Sequence, residues 1–92
     1  MTEAADAGAG LGWTPAGIAD WLTARIAYYL ELPAADIGPD VPLVELGMDS
    51  VYALTLCGDV EEELGIDVRP TMAWDHPTVA AIADHLHGEI SR

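Results

Sequence analysis

The chain has 92 residues, 51% of them apolar, and a formal net charge of −13 that comes from 16 acidic against three basic residues. A chain of this length forms one small domain with little room for a deep catalytic pocket. The charge argues against nucleic acid and against anionic membrane as partners, because both attract positive charge, and it favours docking onto basic surfaces of proteins. An acidic composition that serves only solubility is an equally open interpretation of the charge.

The single cysteine, Cys57, excludes an internal disulfide and a cysteine metal cage. No apolar run approaches the roughly 20 residues of a membrane span. The N-terminus has no basic and apolar signal pattern. We therefore expect a cytoplasmic protein that does not enter a membrane.

Residues 1–12 are mostly small residues without apolar periodicity, which predicts a flexible tail or linker before a domain over residues 13–92. A first helix is predicted to begin at Pro15, with Thr14 as its cap, and to end before Leu32-Pro33. One apolar stripe runs along it: Ile18, Trp21, Leu22, Ile26, Tyr29 and Leu30.

Residues 32–49 contain three prolines and two glycines and are longer than a usual structureless loop. Val44–Leu46 is predicted to form a single short turn within this segment. A solvated linker would not need aliphatic anchors, yet the segment has four, which are Ile37, Val41, Leu43 and Leu46. This pattern predicts an ordered crossover loop.

A second helix is predicted over Ser50–Leu64, closed by Gly65. Its exposed sector carries Val51, Leu54 and Gly58, which is either a partner surface or an ordinary scatter of exposed aliphatics. Its core face is a stripe of five residues, Ala53, Leu56, Cys57, Val60 and Leu64. In this stripe Cys57 is interpreted as a small buried apolar residue.

The last third of the chain predicts an extended link at Ile66–Val68, a brief turn with Met72 and Trp74, and a final helix capped by Thr78. We expect fraying after Gly88, with Ile90 adding at most one contact. The core stripe of this helix is Val79, Ile82, Ala83 and Leu86. The predicted fold class is therefore all-α, a small irregular four-helix bundle with three main helices, one short helix and a long ordered loop between the first two.

Ser50 stands at the start of the second helix, where unpaired N–H groups and the positive dipole end favour an anion. It either caps the helix or carries a phosphate-linked group. A nucleophilic serine enzyme is disfavoured, because Tyr52 replaces the second glycine of the Gly-x-Ser-x-Gly elbow and no histidine is directed at Ser50. His85 and His87 point to opposite sides of a helix, so no metal site is predicted.

Leu46–Val51, read Leu-Gly-Met-Asp-Ser-Val, resembles the Leu-Gly-x-Asp-Ser-Leu signature of acyl carrier proteins. Trp74–Thr78, read Trp-Asp-His-Pro-Thr, is similar to the Phe-Asp-His-Pro-Thr element of carrier domains in modular polyketide synthases. The Glu-Glu-Glu-Leu end of the second helix also fits, and the resemblance covers residues 13–88.

This resemblance implies an acyl carrier domain that holds polyketide intermediates as thioesters on a 4′-phosphopantetheine arm at Ser50, without being an enzyme. Asp49 would help a phosphopantetheinyl transferase to recognise the serine. The implied later partners are ketosynthase, acyltransferase or other synthase domains with basic patches, and the carrier is expected to be a monomer. The docking residues implied are Val51, Leu54, Glu61 and Glu62.

Three alternatives stay open at this point. A peptidyl or aryl carrier of a nonribosomal peptide synthetase is the nearest, although Asp49 stands where peptidyl carriers commonly have histidine. The others are an acidic helical adaptor without a prosthetic group and a small hydrolase. The sequence departs from the usual family pattern in three ways: Val51 replaces a leucine, Gly58 replaces a larger residue, and the second helix has no arginine. These departures bear on which synthase the carrier serves.

Overall fold

The structure, a computed structural model, describes residues 13–91, so the predicted tail at residues 1–12 lies outside the described residues. Four α-helices follow one another: α1 Pro15–Leu30, α2 Ser50–Leu64, α3 Met72–Asp75 and α4 Val79–Ile90. Two 3₁₀ turns, Ala34–Asp36 and Leu43–Leu46, lie between α1 and α2. Residues 13–91 contain no strand, and the predicted all-α four-helix fold is confirmed.

Each long helix begins at a side chain that caps it. Thr14, Asp49 and Thr78 precede α1, α2 and α4, and each accepts a hydrogen bond from the N–H three residues further along, at 3.0, 2.8 and 3.1 Å. These bonds satisfy N–H groups that a helix leaves unpaired at its start. The predicted starts of these helices are confirmed because the signals are local. α2 ends at Gly65 with φ of 70°, as predicted.

The core is apolar throughout the described residues, with no buried polar or charged residue. The residues of the predicted core stripes of α2 and α4 are all buried. On α1 the buried stripe is narrower than predicted: Ile18, Leu22 and Ile26 are buried, whereas Trp21 and Leu30 are only partly buried and Tyr29 is exposed. The Tyr29 ring lies at the edge of the bundle against α2 instead of inside it.

The crossover loop between α1 and α2 is ordered, as predicted. Of the four predicted anchors, Ile37 and Leu43 are buried in the core and Leu46 packs partly buried against it. Val41 is partly buried but is not one of the residues that pack against this core. The Leu43 N–H donates to the Pro77 carbonyl and the Ala80 N–H donates to the Pro39 carbonyl, both at 2.9 Å. These two hydrogen bonds join the loop to the start of α4.

The end of α4 corrects one expectation. Fraying after Gly88 was predicted, but the helix continues through Ile90, whose side chain is partly buried against the core. Packing of this last apolar residue offsets the low helix propensity of glycine. None of the described helices is long and apolar enough to cross a membrane.

The start of the second helix as a candidate attachment site

Ser50 is the first residue of α2 and is exposed to solvent. The turn before it ends at Gly47, whose φ of 108° lies in the left-handed region that a side chain disfavours. Met48 follows and is buried in the core. This buried methionine anchors the segment, so that the next two residues, Asp49 and Ser50, stand at the surface in a defined position.

The exposed Ser50 hydroxyl lies at the positive end of a helix of 15 residues. A primary hydroxyl at this place can be esterified without disturbing the core. A phosphodiester there would gain about 0.3–1 kcal/mol from the helix dipole. Ser50 does not cap α2, because that role belongs to Asp49, so the capping interpretation of the serine is wrong.

Asp49 is engaged with its own helix. One carboxylate oxygen accepts the Tyr52 N–H at 2.8 Å, while the side chain stays accessible to solvent. The structure therefore gives this acid a structural role in addition to its place next to Ser50.

The apolar residues predicted on the outer sector of α2 are exposed. Val51 is 74% and Leu54 is 56% exposed, and Gly58 is also at the surface. Val44, from the turn that precedes α2, adds another exposed aliphatic side chain. The sequence predicted that Val44 lies in a turn, and it gave no indication that this side chain is exposed.

The two acids predicted for docking differ in their surroundings. Glu61 and Glu62 are both exposed on the second half of α2. A carboxylate oxygen of Glu61 accepts the Val68 N–H at 3.0 Å and so ties the link after α2 back onto the helix. Glu62 has no such bond among the hydrogen bonds of the described residues. This hydrogen bond gives Glu61 a stabilising role, although the C-terminal end of a helix otherwise disfavours acidic residues.

A tyrosine cluster joins the end of α1 to the start of α2. The rings of Tyr29 and Tyr52 have centroids 4.9 Å apart and are tilted by 44°. Arg25 lies over the Tyr29 ring at 5.9 Å and pairs with Asp59 of α2, with a shortest N–O distance of 3.4 Å. Burial raises the pKa of Tyr52 strongly, and the Asp59 charge raises it further. The sequence indicated neither contact, because α1 and α2 are far apart along the chain.

A shallow pocket of about 280 Å³ opens between the end of α1 and the start of α2. Its walls are mainly Tyr29, Leu30, Val51 and Tyr52, with Thr55 further along α2. Asp49 also borders it, so both residues next to Ser50 touch this pocket. We call it the tyrosine pocket.

The histidines lie elsewhere, at the junction of α3 and α4. The rings of His76 and His85 stack with centroids 4.1 Å apart and an interplanar angle of 16°. Parallel rings do not converge on one ion, and residues 13–91 hold no group of three side chains that fits a metal. His76 therefore stacks on His85, and none of the side-chain hydrogen bonds of residues 13–91 joins it to Ser50.

Residues 20–86 match the protein family described as phosphopantetheine attachment site. The chain is 37% identical to 5-methyl-1-naphthoate synthase of Streptomyces sahachiroi over 96% of its own length, and 46% identical to a 6-methylsalicylic acid synthase of Arthrobotrys oligospora over 59%. It spans only 5% and 3% of those two curated relatives.

Two solved structures are similar in fold and sequence. A free-standing peptidyl carrier protein of Acinetobacter baumannii superposes with a TM-score of 0.79 at 30% identity, covering 83% of this chain and 95% of that one. The acyl carrier protein LipD of Actinoplanes friuliensis gives 0.69 at 40% identity, covering 84% and 86%.

The helical fold and these likenesses define the class of the protein as a small carrier domain. More specifically, the chain belongs to the phosphopantetheine attachment-site family and is homologous to the carrier domains of polyketide synthases. As a member of this family, the domain over residues 20–86 is a carrier that holds a covalent 4′-phosphopantetheine arm and does not itself catalyse a reaction.

Proposed function

We propose that Ser50 is the residue to which the 4′-phosphopantetheine arm is attached. The observation that carries the proposal is an exposed serine hydroxyl at the first position of α2, inside the stretch that matches the family. The Gly47-Met48-Asp49-Ser50 sequence supports the same residue. The arm's terminal thiol then holds the acyl group as a thioester.

The attachment is a phosphoryl transfer performed by a separate phosphopantetheinyl transferase. The Ser50 oxygen bonds to the phosphorus next to the pantetheine of coenzyme A. The pyrophosphate bond of coenzyme A breaks, adenosine 3′,5′-bisphosphate leaves, and a base of the transferase takes the serine proton. Asp49 contributes a negative charge beside the reacting hydroxyl for a basic transferase surface to recognise.

Partner enzymes are proposed to dock on the outer sector of α2. Val51 and Leu54 supply exposed apolar area, and Glu61 and Glu62 supply charge that sets the register against basic side chains. The net charge of −13 favours association with basic surfaces over long distances. We infer that the carrier acts as a monomer that meets ketosynthase, acyltransferase or other synthase domains one at a time.

We infer that the cargo belongs to polyketide biosynthesis, because the curated relatives named above are synthases of 5-methyl-1-naphthoate and 6-methylsalicylic acid. A peptidyl carrier is the second candidate, and the likeness to the Acinetobacter baumannii peptidyl carrier favours it. Loading of the holo protein by an adenylation domain with an amino acid, and failure to accept malonyl groups from an acyltransferase, would favour the second candidate.

The attachment is tested by incubating the chain with coenzyme A and a transferase of broad specificity, followed by intact mass measurement. The wild-type protein is expected to gain one phosphopantetheine, and Ser50→Ala is expected to gain none. Ser91→Ala is the matched control, since Ser91 is the other serine of the sequence, and it should be modified like the wild type. Modification of Ser50→Ala would show that another residue carries the arm.

A further inference from the structure

We propose that the tyrosine pocket receives the first segment of the chain's own arm, the pantoate unit with its two geminal methyl groups. This inference rests on the proposed attachment of the arm to Ser50. It names a binding site for the arm on the α1 side of α2, formed by residues of both helices.

The covalent tether selects this occupant. Asp49 and Val51, on either side of Ser50, both line the pocket. The quaternary carbon of pantoate follows the phosphate after one CH₂–O link, so it is the first apolar part of the arm. More distant parts of the arm, and the acyl group beyond them, would have to fold back to reach the same place.

The chemistry of the walls fits a compact apolar group. Tyr29 and Tyr52 present aromatic surface, and Leu30 and Val51 present aliphatic surface. The volume of about 280 Å³ exceeds the ~150 Å³ of an apolar cavity that is sufficient for benzene. Two methyl groups on one carbon therefore fit there. The part of their surface that contacts the walls is removed from water, which favours binding.

The tyrosine wall is formed before any arm is attached. The Tyr29 ring packs against Tyr52 at 4.9 Å on α2 and against Tyr28 at 5.5 Å on α1. Arg25 covers it at 5.9 Å and is in turn paired with Asp59. A wall held by both helices need not reorganise when a ligand binds, which lowers the entropic cost of binding.

Thr55 lines the same pocket with a polar side chain, about one helical turn after Val51 on α2. Its hydroxyl hydrogen is donated to the Val51 carbonyl at 3.0 Å, so its oxygen lone pairs remain acceptors. In the arm, the pantoate hydroxyl and the first amide N–H follow the geminal methyl groups. Both are hydrogen-bond donors, which suits an arm that runs from Ser50 along α2 past Thr55.

The test is NMR spectroscopy of the holo protein with the arm labelled with ¹³C in its methyl groups. Methyl protons above a tyrosine face shift upfield, so both signals should move upfield of those in the unfolded holo chain. They should become inequivalent and show nuclear Overhauser contacts to the Tyr29 and Tyr52 ring protons. Intact mass first establishes that the arm is attached.

Three variants identify the wall. Tyr29→Leu keeps an apolar side chain but removes the ring, and it should reduce the upfield shift and abolish the Tyr29 contacts. Tyr29→Phe should preserve them. Trp74→Leu is the matched control and should change neither, because Trp74 lies on α3, is 43% exposed and does not line the pocket. Circular dichroism confirms that each variant is folded.

Two results would overturn the inference while leaving the proposed function intact. One is a fully loaded protein whose methyl signals equal those of the unfolded chain, without contacts to tyrosine. The other is a pocket whose ring signals change only after an acyl group or a partner enzyme is added, which would assign the pocket to that occupant. Absence of any mass gain would instead reject the attachment itself, and the inference with it.

Discussion

The carboxylate of Asp49 accepts a hydrogen bond from the N–H of Tyr52 at 2.8 Å, and the side chain of the same Tyr52 forms a wall of the pocket beside Ser50. Asp49 therefore caps the start of α2, and the same hydrogen bond holds the backbone of Tyr52, whose ring lines the neighbouring pocket. One carboxylate oxygen of Asp49 caps α2, and the exposed charge of the same side chain is proposed to be recognised by the transferase.

Substitutions at Asp49 separate these roles. Asp49→Ala removes the cap and is expected to lower the free energy of unfolding by about 1 kcal/mol. Asp49→Asn keeps a good capping oxygen without the charge, so its stability should stay close to wild type while modification by the transferase becomes slower. Urea unfolding and transferase kinetics measure the two effects. Equal modification rates for Asp49→Asn and wild type would show that the transferase does not recognise the charge of Asp49.

Substitutions of the neighbouring acids Glu61 and Glu62 are predicted to differ in their effect on the stability of the domain but not in their effect on partner docking. Glu61→Ala deletes the acceptor of the Val68 N–H and should cost about 0.5–1.5 kcal/mol. Glu62→Ala should stay within about 0.5 kcal/mol of wild type, as exposed substitutions do. Both should weaken binding to a basic partner at low salt. Denaturant titration and salt-dependent binding measurements distinguish these effects, and equal losses of stability would contradict the Glu61 contact.

The hydroxyl of Tyr52 is buried without a hydrogen-bond partner among residues 13–91. An unpaired buried polar group is destabilising, so Tyr52→Phe should raise the free energy of unfolding by about 1 kcal/mol. For a domain of this size that corresponds to a rise of roughly 4–8 °C in Tm. Tyr28→Phe, at an exposed ring, is the control and should change nothing. A lower Tm for Tyr52→Phe would indicate that the hydroxyl is paired in solution.

Stability is predicted to fall at alkaline pH. Burial raises the pKa of the Cys57 thiol above its ordinary 9.0, and burial raises the pKa of Tyr52 above its ordinary 10.0. As pH rises, both groups lose their protons first in the unfolded chain. Their contribution to the free energy of unfolding is therefore complete below about pH 9 and declines as pH rises above the ordinary pKa of each group. Urea unfolding between about pH 7 and pH 11 measures the decline. Tyr52→Phe should flatten the part above about pH 10, and an unchanged slope would contradict the assignment.

Two glycines allow a matched test of backbone conformation. A methyl group added at Gly58, in the exposed middle of α2, meets no atom within 4 Å, so Gly58→Ala should stabilise the helix by about 0.5–1 kcal/mol. Gly47 also has free space, but its φ of 108° disfavours a side chain, so Gly47→Ala should destabilise. Thermal unfolding of both variants checks the opposite signs, and a stabilising Gly47→Ala would show that the turn before Ser50 is adaptable.

The sequence predicted the helices well where the signals are local. The span of α2 from Ser50 to Leu64 follows from an acid that caps it and a glycine that closes it. The buried stripes of α2 and α4 follow from spacing alone, because residues three and four apart share a helix face. The exposed position of Ser50 also follows from the helix start. The roles of the six predicted site residues stay predictions.

The sequence did not reveal contacts between distant segments. Tyr52 lies off the core stripe of α2 and is buried because Tyr29 of α1 packs against it. The stack of His76 on His85 and the bond from Val68 to Glu61 likewise depend on how the loops return to the bundle. The continuation of α4 to Ile90 depends on a packing contact that helix propensity does not include.

The described core contains no charged residue, although the chain carries a net charge of −13. The acids of the described domain are therefore at or near the surface, where they repel one another and attract basic partners. Added salt screens both effects. Ionic strength should consequently act on this carrier in opposite directions, making the folded domain more resistant to unfolding while shortening its encounters with each enzyme.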